Sequence, residues 1–243
     1  MARLEPVAGV SPFEELDRHP DGEYVAMRTG WAAGERGERA AVWEVRTGKV
    51  AWAPAGAVAI AWLRDGSQSL VVVGDTLQRL TWPGGEQMAT CDVLRSRGEG
   101  WIDHIVVGRH DRLAAVRWFD QTEAGFELVD LTRRGTRHLK RKGYRVAGTN
   151  LLAGPVFSPS GRFLVCSEGR ADWWEEGSLA GQVTIFDTRD SSARHVQVEL
   201  DVAPGWEPDT PEAHAGMIGL PRFVSARSFV VPLPTGEERR FGT

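Results

Sequence analysis

A pattern of four short apolar segments separated by turns recurs along this 243-residue chain, and it constrains the fold more than any other feature. The clearest copy covers residues 152–200. There, four apolar segments are separated by the turn Ser158-Pro159-Ser160-Gly161, by a polar loop, and by a second turn at 188–192. Short apolar runs bounded by Pro, Gly, Ser and Asp are typical of β-strands joined by hairpins.

The same order is found in residues 13–54, 57–94 and 101–144, and a partial copy occupies 217–243. One polar residue marks the first turn of each complete copy, at spacings of 44, 46 and 49 positions: Asp21, Asp65, Asp111 and Ser160. Four strands in a repeat of this length are typical of β-propeller blades. No segment keeps a helical spacing of apolar residues over three turns.

The sequence therefore predicts an all-β fold, a β-propeller of about five four-stranded antiparallel blades forming a single domain over 1–243. A β-sandwich with irregular strands is the competing prediction. If the repeats are aligned correctly, one set of apolar residues is buried between blades: Trp43, Ile60, Val72, Phe157 and Ile185.

Two motifs add a resemblance to a known family. Residues 41–50, Ala-Val-Trp-Glu-Val-Arg-Thr-Gly-Lys-Val, are similar to the third-strand signature of WD-repeat proteins, with Glu44 where Asp is usual. Residues 157–162, Phe-Ser-Pro-Ser-Gly-Arg, resemble the first turn of WD-like repeats. In degenerate form the resemblance extends over nearly the whole chain, and it implies a propeller while saying little about function. The Gly-His pair that precedes the first strand in that family is missing from every copy.

The incomplete last copy leaves a sheet short of strands, and an unpaired edge invites association. Two solutions are open. Residues 1–10 can pair with 229–241 in the same chain, which we favour, or a second chain can supply the missing strands. The second solution amounts to self-association through the incomplete blade.

Composition narrows the class of protein. The net charge of −4 argues against a dedicated nucleic-acid binder, which usually carries a basic face. No apolar stretch approaches the roughly 18 residues of a membrane helix, and no secretory h-region is visible. Cys91 and Cys166 lie in apolar segments and are expected to be buried thiols. Together with the preference for Arg over Lys, these features predict a bacterial-type cytoplasmic protein without membrane contact.

Several long connections carry aromatic and acidic residues. In a WD-type blade these loops open on one face, and Trp within an acidic rim is typical of protein-binding surfaces. The sequence therefore predicts a non-catalytic scaffold or adaptor that binds another protein. The candidate contact residues are Trp31, Trp118, Asp120, Trp173, Trp174, Glu175, Glu176 and Trp206. Each Trp alternatively covers its own sheet, and this alternative is favoured for Trp31 and Trp118, which directly follow predicted strands.

A basic segment at 133–145 has two interpretations. Edge strands commonly carry charge that blocks sheet-to-sheet association, and this interpretation is favoured. The alternative is an electrostatic contact with nucleic acid or an acidic protein. The basic residues concerned are Arg133, Arg134, Arg137, Lys140, Arg141, Lys142 and Arg145.

An enzyme is the alternative function. A propeller hydrolase or lactonase would place carboxylates and His on the loop face, with Asp120, Asp172, Glu175, Glu176 and His214 as candidates. The sequence contains no nucleophile elbow, phosphate-cradling loop or zinc-protease motif. We therefore predict no catalytic residue, no metal site and no cofactor.

Overall fold

The computed structural model describes residues 12–29, 39–93, 101–119, 124–132, 140–147, 152–169, 179–189, 192–200, 220–233 and 237–243. These residues form 19 β-strands and contain no helix. The chain divides into two compact units. The first unit consists of Met1–Trp118 and Glu127–Lys142. The second unit consists of Phe119–Phe126 and Gly143–Thr243.

The strands form antiparallel sheets in which sequence neighbours pair. The first sheet contains β1 (Pro12–Arg18), β2 (Tyr24–Thr29), β3 (Arg39–Glu44) and β4 (Val50–Trp52). The second contains β5 (Ala57–Trp62), β6 (Gln68–Val73), β7 (Thr76–Thr81) and β8 (Gln87–Asp92). The third contains β9 (Trp101–Val107), β10 (Leu113–Phe119), β11 (Ala124–Asp130) and β12 (Lys140–Ala147).

The remaining strands form two further sheets. The fourth sheet contains β13 (Leu152–Phe157), β14 (Phe163–Gly169), β15 (Leu179–Asp187) and β16 (Ala193–Leu200). The fifth has three described strands, β17 (Arg222–Ser225), β18 (Ser228–Pro232) and β19 (Glu238–Gly242). Each repeat of the sequence thus corresponds in position to one sheet.

The same turn closes the first hairpin of each four-stranded sheet. Its first residue donates its N–H to the carbonyl five residues later and accepts from the N–H three residues later, at 2.8–3.0 Å. A third backbone hydrogen bond joins the end of the third strand to the same hairpin. The pairs, with the N–H donor first, are Val45 and Glu23, Trp82 and Ser67, Leu131 and Arg112, and Thr188 and Arg162. The fourth turn residue has a positive φ and is Gly22, Gly66, Asp111 or Gly161.

This geometry corrects one detail of the repeat alignment. Asp111 does not match Asp21 and Asp65, because it occupies the left-handed position that glycine holds in the other turns, with φ 52°. Asp tolerates this conformation better than most side chains. His110 is therefore the structural counterpart of Asp21, Asp65 and Ser160, and the corrected spacings are 44, 45 and 50.

The core of the first unit is built from the apolar faces of its strands. Trp43 (0% exposed), Ile60 and Val72 are buried in this unit, as the sequence predicts, and Phe157 and Ile185 are buried in the second unit. The thiols of Cys91 and Cys166 are both buried and form no disulfide. The largest cluster joins residues of β5–β7 to residues of β9–β11. It includes Leu70, Val72, Leu77, Ile105, Val116 and Val129.

The second unit has its own core. Residues of β14–β16 pack there with residues of β18, namely Val165, Val183, Ile185, Val198, Phe229 and Val231. Phe241 of β19 stacks on Phe229, with ring centroids 5.3 Å apart. This cluster joins the fourth and fifth sheets into one apolar layer.

Replacement of Trp43 tests the core of the first sheet. Trp43→Ala is expected to lower the free energy of unfolding by about 3–5 kcal/mol, because it removes a fully buried indole packed against Val25 and Ala41. Urea unfolding measures this change. Lys49→Ala, an exposed position in the following turn, is the control and should change stability by less than about 0.5 kcal/mol. A loss below about 1 kcal/mol for Trp43→Ala would contradict the packing described.

Candidate functional site

Most residues of the predicted binding face lie outside the described residues, and the structure does not test them. This holds for Trp31, Asp120, Trp173, Trp174, Glu175, Glu176 and Trp206, and for the enzyme candidates Asp172 and His214. Trp118 of β10 is described, and it is partly buried against the core of its unit.

The basic segment is described only in part. Lys140, Arg141, Lys142 and Arg145 belong to β12, which is an edge strand of its sheet, as predicted for this end of the segment. Arg133, Arg134 and Arg137 lie outside the described residues.

The described residues contain a different aromatic site, formed by five rings of the first two sheets. His19 follows β1, Tyr24 opens β2, Trp52 ends β4, Trp62 ends β5 and Trp82 follows β7. Trp82 is the central ring, with centroids 5.3–6.0 Å from the other four. Most of these pairs are edge-to-face, the geometry that aromatic quadrupoles favour. We call these five residues the aromatic cluster.

His19 fixes the cluster between the two sheets. Its Nε2–H donates to the carbonyl of Gly66, 3.1 Å away in the first turn of the second sheet. Its Nδ1 lies 2.7 Å from Oδ1 of Asp21, and the His19 side chain is only 10% exposed. Partial burial raises the pKa of Asp21. The hydrogen bond from the Glu23 N–H and the interaction with His19 lower it by more, so that the pKa of Asp21 lies below its ordinary value.

Gly66 is required on two counts. Its φ of 72° is unfavourable for side chains other than glycine, and a Cβ there would lie 2.5 Å from Nε2 of His19. The imidazole therefore sits directly against the turn backbone. A second hydrogen bond joins the same sheets: the backbone N–H of Trp62 donates to Oδ2 of Asp17 at 2.7 Å.

The rings of the aromatic cluster differ in solvent exposure. Trp62 is buried (4% exposed), and its indole N–H has no hydrogen-bond acceptor among the described residues. Tyr24, Trp52 and Trp82 are only partly buried. The neighbouring turns carry exposed polar residues, namely Asp21, Glu23, Arg64, Asp65 and Glu86. An ordered aromatic surface with a polar rim can receive apolar side chains, proline rings or a cation over an indole face.

The sequence analysis did not identify this site. Trp52, Trp62 and Trp82 each lie at or beside a strand end that adjoins a turn, but the spacing does not show which strand ends meet. The useful signal was present in the repeat alignment, because Trp52 and Trp82 both belong to the second half of their repeats. Across the described ranges, no group of three or more His, Cys, Asp or Glu is placed to hold a metal ion. The part of the chain that the structure describes contains no apolar helix of membrane-spanning length.

Comparison with known proteins supports the fold. A protein of unknown function from Desulfotomaculum acetoxidans superimposes with a TM-score of 0.51 at 15% identity, covering 93% of this chain and 70% of its own. A candidate 6-phosphogluconolactonase of Bacteroides uniformis gives 0.51 at 10% identity, covering 91% and 64%. The WD40 domain of SCAP from fission yeast gives 0.45 at 7% identity, covering 92% and 58%.

The fold is that of a β-propeller. The repeated four-stranded sheets and the likeness to the two structures with a TM-score of 0.51 both support it. At such low identity the likeness concerns the fold alone. No protein-family model matches the sequence, and no curated protein matches it closely enough to count as a relative.

A double-mutant cycle tests the contact between His19 and Gly66. Gly66→Ala is expected to cost more than about 1 kcal/mol, because it adds both backbone strain and a clash with the imidazole. In a His19→Ala background the clash is absent, so that the same substitution should cost at least about 0.5 kcal/mol less. Additive effects in urea unfolding would contradict the contact.

The first turn of the second sheet predicts a pH dependence. The Ser67 N–H and hydroxyl hold the pKa of Asp65 below its ordinary value, so Asp65 stabilises the fold above about pH 4 and this contribution is lost as acid protonates it. Asp65→Asn is expected to cost about 0.5–1 kcal/mol at pH 7 and clearly less near pH 2.5. Urea unfolding at both pH values measures the difference, with Asp75→Asn as control. A cost that is equal at both pH values would exclude this role.

Proposed function

We propose that this protein is a non-catalytic interaction module that binds another protein. The observation that supports the proposal is the aromatic cluster, where the partly exposed rings of Tyr24, Trp52 and Trp82 adjoin the partly buried His19 and the buried Trp62. Trp and Tyr are the side chains most enriched among residues that dominate binding energy.

The cluster is organised before any partner arrives. His19 and Asp17 bond across the two sheets that carry the rings, and Trp82 contacts four aromatic neighbours. Rings held in this way lose little conformational entropy on binding, which favours affinity. The rings thus form a rigid anchor, and the charged turns around them supply a polar rim.

The loop face predicted from the sequence belongs to the same proposal as a separate contact region. Its residues Trp173, Trp174 and Trp206 have the composition of a binding surface and await a direct test. Action in the cytoplasm of a bacterial-type cell and the absence of catalysis are also parts of this proposal.

Substitutions in the cluster test the proposed function. Proteins retained from host cells by the wild-type chain would be identified by mass spectrometry, and the partner would then be purified and titrated by calorimetry. Trp82→Ala is expected to weaken this complex about 30-fold, the effect of losing roughly 2 kcal/mol at a dominant contact. Circular dichroism would verify that the variant is folded.

Two further variants make the result specific. Met88→Ala removes an exposed apolar side chain (54% exposed) from the same unit and should leave the affinity unchanged. A Trp173→Ala/Trp174→Ala chain examines the loop face. Loss of binding in that chain alone would assign the partner to the loop face and not to the aromatic cluster. A wild-type chain that retains no protein specifically would overturn the proposal.

A further inference from the structure

The fifth sheet has three described strands, whereas each of the other four has four. β19 lies at its edge, and no described strand pairs with its outer side. Residues 1–10, which the sequence analysis favours as the partner of this strand, lie outside the described residues. Most of β19 is exposed, including Glu238, Arg240 and Gly242. An edge of this kind offers main-chain hydrogen bonds to an added strand.

The register shows which backbone groups face outward. β18 and β19 are antiparallel, with Val230 opposite Arg240. Backbone bonds from Leu233 to Glu237 and from Thr243 to Arg227 mark the hydrogen-bonded pairs, which involve the odd-numbered residues of β19. The N–H and C=O groups of Glu238, Arg240 and Gly242 therefore point away from β18. These three residues form the outer edge of β19.

Positive charge dominates the middle of this edge. Glu238 is paired with Arg222 at 3.0 Å, which leaves its charge compensated. Arg240 donates to the neutral hydroxyl of Ser228, and Arg194 of β16 donates to the carbonyl of Gly242. Neither Arg194 nor Arg240 has a carboxylate partner among the described residues. Arg239 and Glu237 are the other charged residues of this segment.

We propose that the outer edge of β19 binds an extended acidic segment of another protein, which adds to the fifth sheet as an antiparallel strand. Its backbone exchanges two hydrogen bonds with Arg240, and an acidic side chain directly opposite pairs with the Arg240 guanidinium. An arginine cluster alone would equally suit nucleic acid. The row of outward backbone groups favours a peptide, because only a peptide backbone matches that spacing.

The side chains on either face refine the expected sequence. Phe241 belongs to the face that packs on the core, and it is partly exposed. A residue of the added strand opposite Phe241 therefore gains from being apolar, and its neighbour opposite Arg240 from being acidic. The fitting segment alternates apolar and acidic residues. This surface lies wholly within the second unit and does not involve the aromatic cluster.

A dye-labelled peptide of alternating Val and Glu is the probe, with binding followed by fluorescence anisotropy. We expect saturable binding to the full chain and at least about tenfold weaker binding of the matching Val–Lys peptide. Arg240→Pro removes the outward N–H and leaves the pairing with β18 intact, and it should weaken binding at least about tenfold. Arg112→Glu, a charge change on an exposed residue of another sheet, should have no effect.

Variants of the peptide keep the test independent of folding. A peptide N-methylated at its Glu residues loses the amides that face β19 and should not bind, whereas one N-methylated at its Val residues should. Equal binding of both, or of the Val–Lys peptide, would overturn strand addition. Displacement of the peptide by single-stranded DNA would reassign the edge to nucleic acid. If the peptide binds only after deletion of residues 1–10, those residues occupy the edge and the proposal is wrong. If sedimentation shows a dimer that depends on Arg240, a second copy of the chain occupies it and the proposal is also wrong.

Discussion

Each four-stranded sheet is fixed at one end by the same three backbone hydrogen bonds. Two of them close the turn between the first and second strands, and the third joins the end of the third strand to that turn. In the first sheet the residues involved are His19, Gly22, Glu23, Tyr24 and Val45. Because backbone groups make these bonds, the repeat tolerates wide variation in side chains as long as the fourth turn residue accepts a positive φ.

The same turns also connect sheets of the first unit sideways. His19 bonds to the carbonyl of Gly66, and Arg64 in that second turn donates its N–H to the Asp111 side chain of the third. The turn ends of these three sheets are thus joined in series. The aromatic cluster depends on this connection, because His19 and Trp82 come from different sheets and meet only when the turns are held together.

Strand positions could be predicted from the sequence because the signals are local: alternating polarity, turns rich in Pro, Asp, Ser and Gly, and a regular period. Burial of Trp43 and Phe157 followed from the same alignment. The alignment failed at Asp111, where an Asp in the glycine position mimics the preceding turn residue. The aromatic cluster was not predicted, because the repeat alignment does not show that residues as far apart as His19 and Trp82 meet. Composition drew attention instead to Trp173 and Trp174, which lie outside the described residues.

The fifth sheet keeps two features of the repeat in its three described strands. The backbone hydrogen bond from the end of its third strand to its first hairpin is present, from the Thr243 N–H to the carbonyl of Arg227. The Phe241 ring stacks on the Phe229 ring. Among the described residues, these two contacts lie on the inner side of β19 and on its core face. Its outward groups take no part in them, except that Arg194 bonds to Gly242. An added strand at this edge would leave these two contacts in place, whereas the aromatic cluster offers side chains whose positions the fold already fixes.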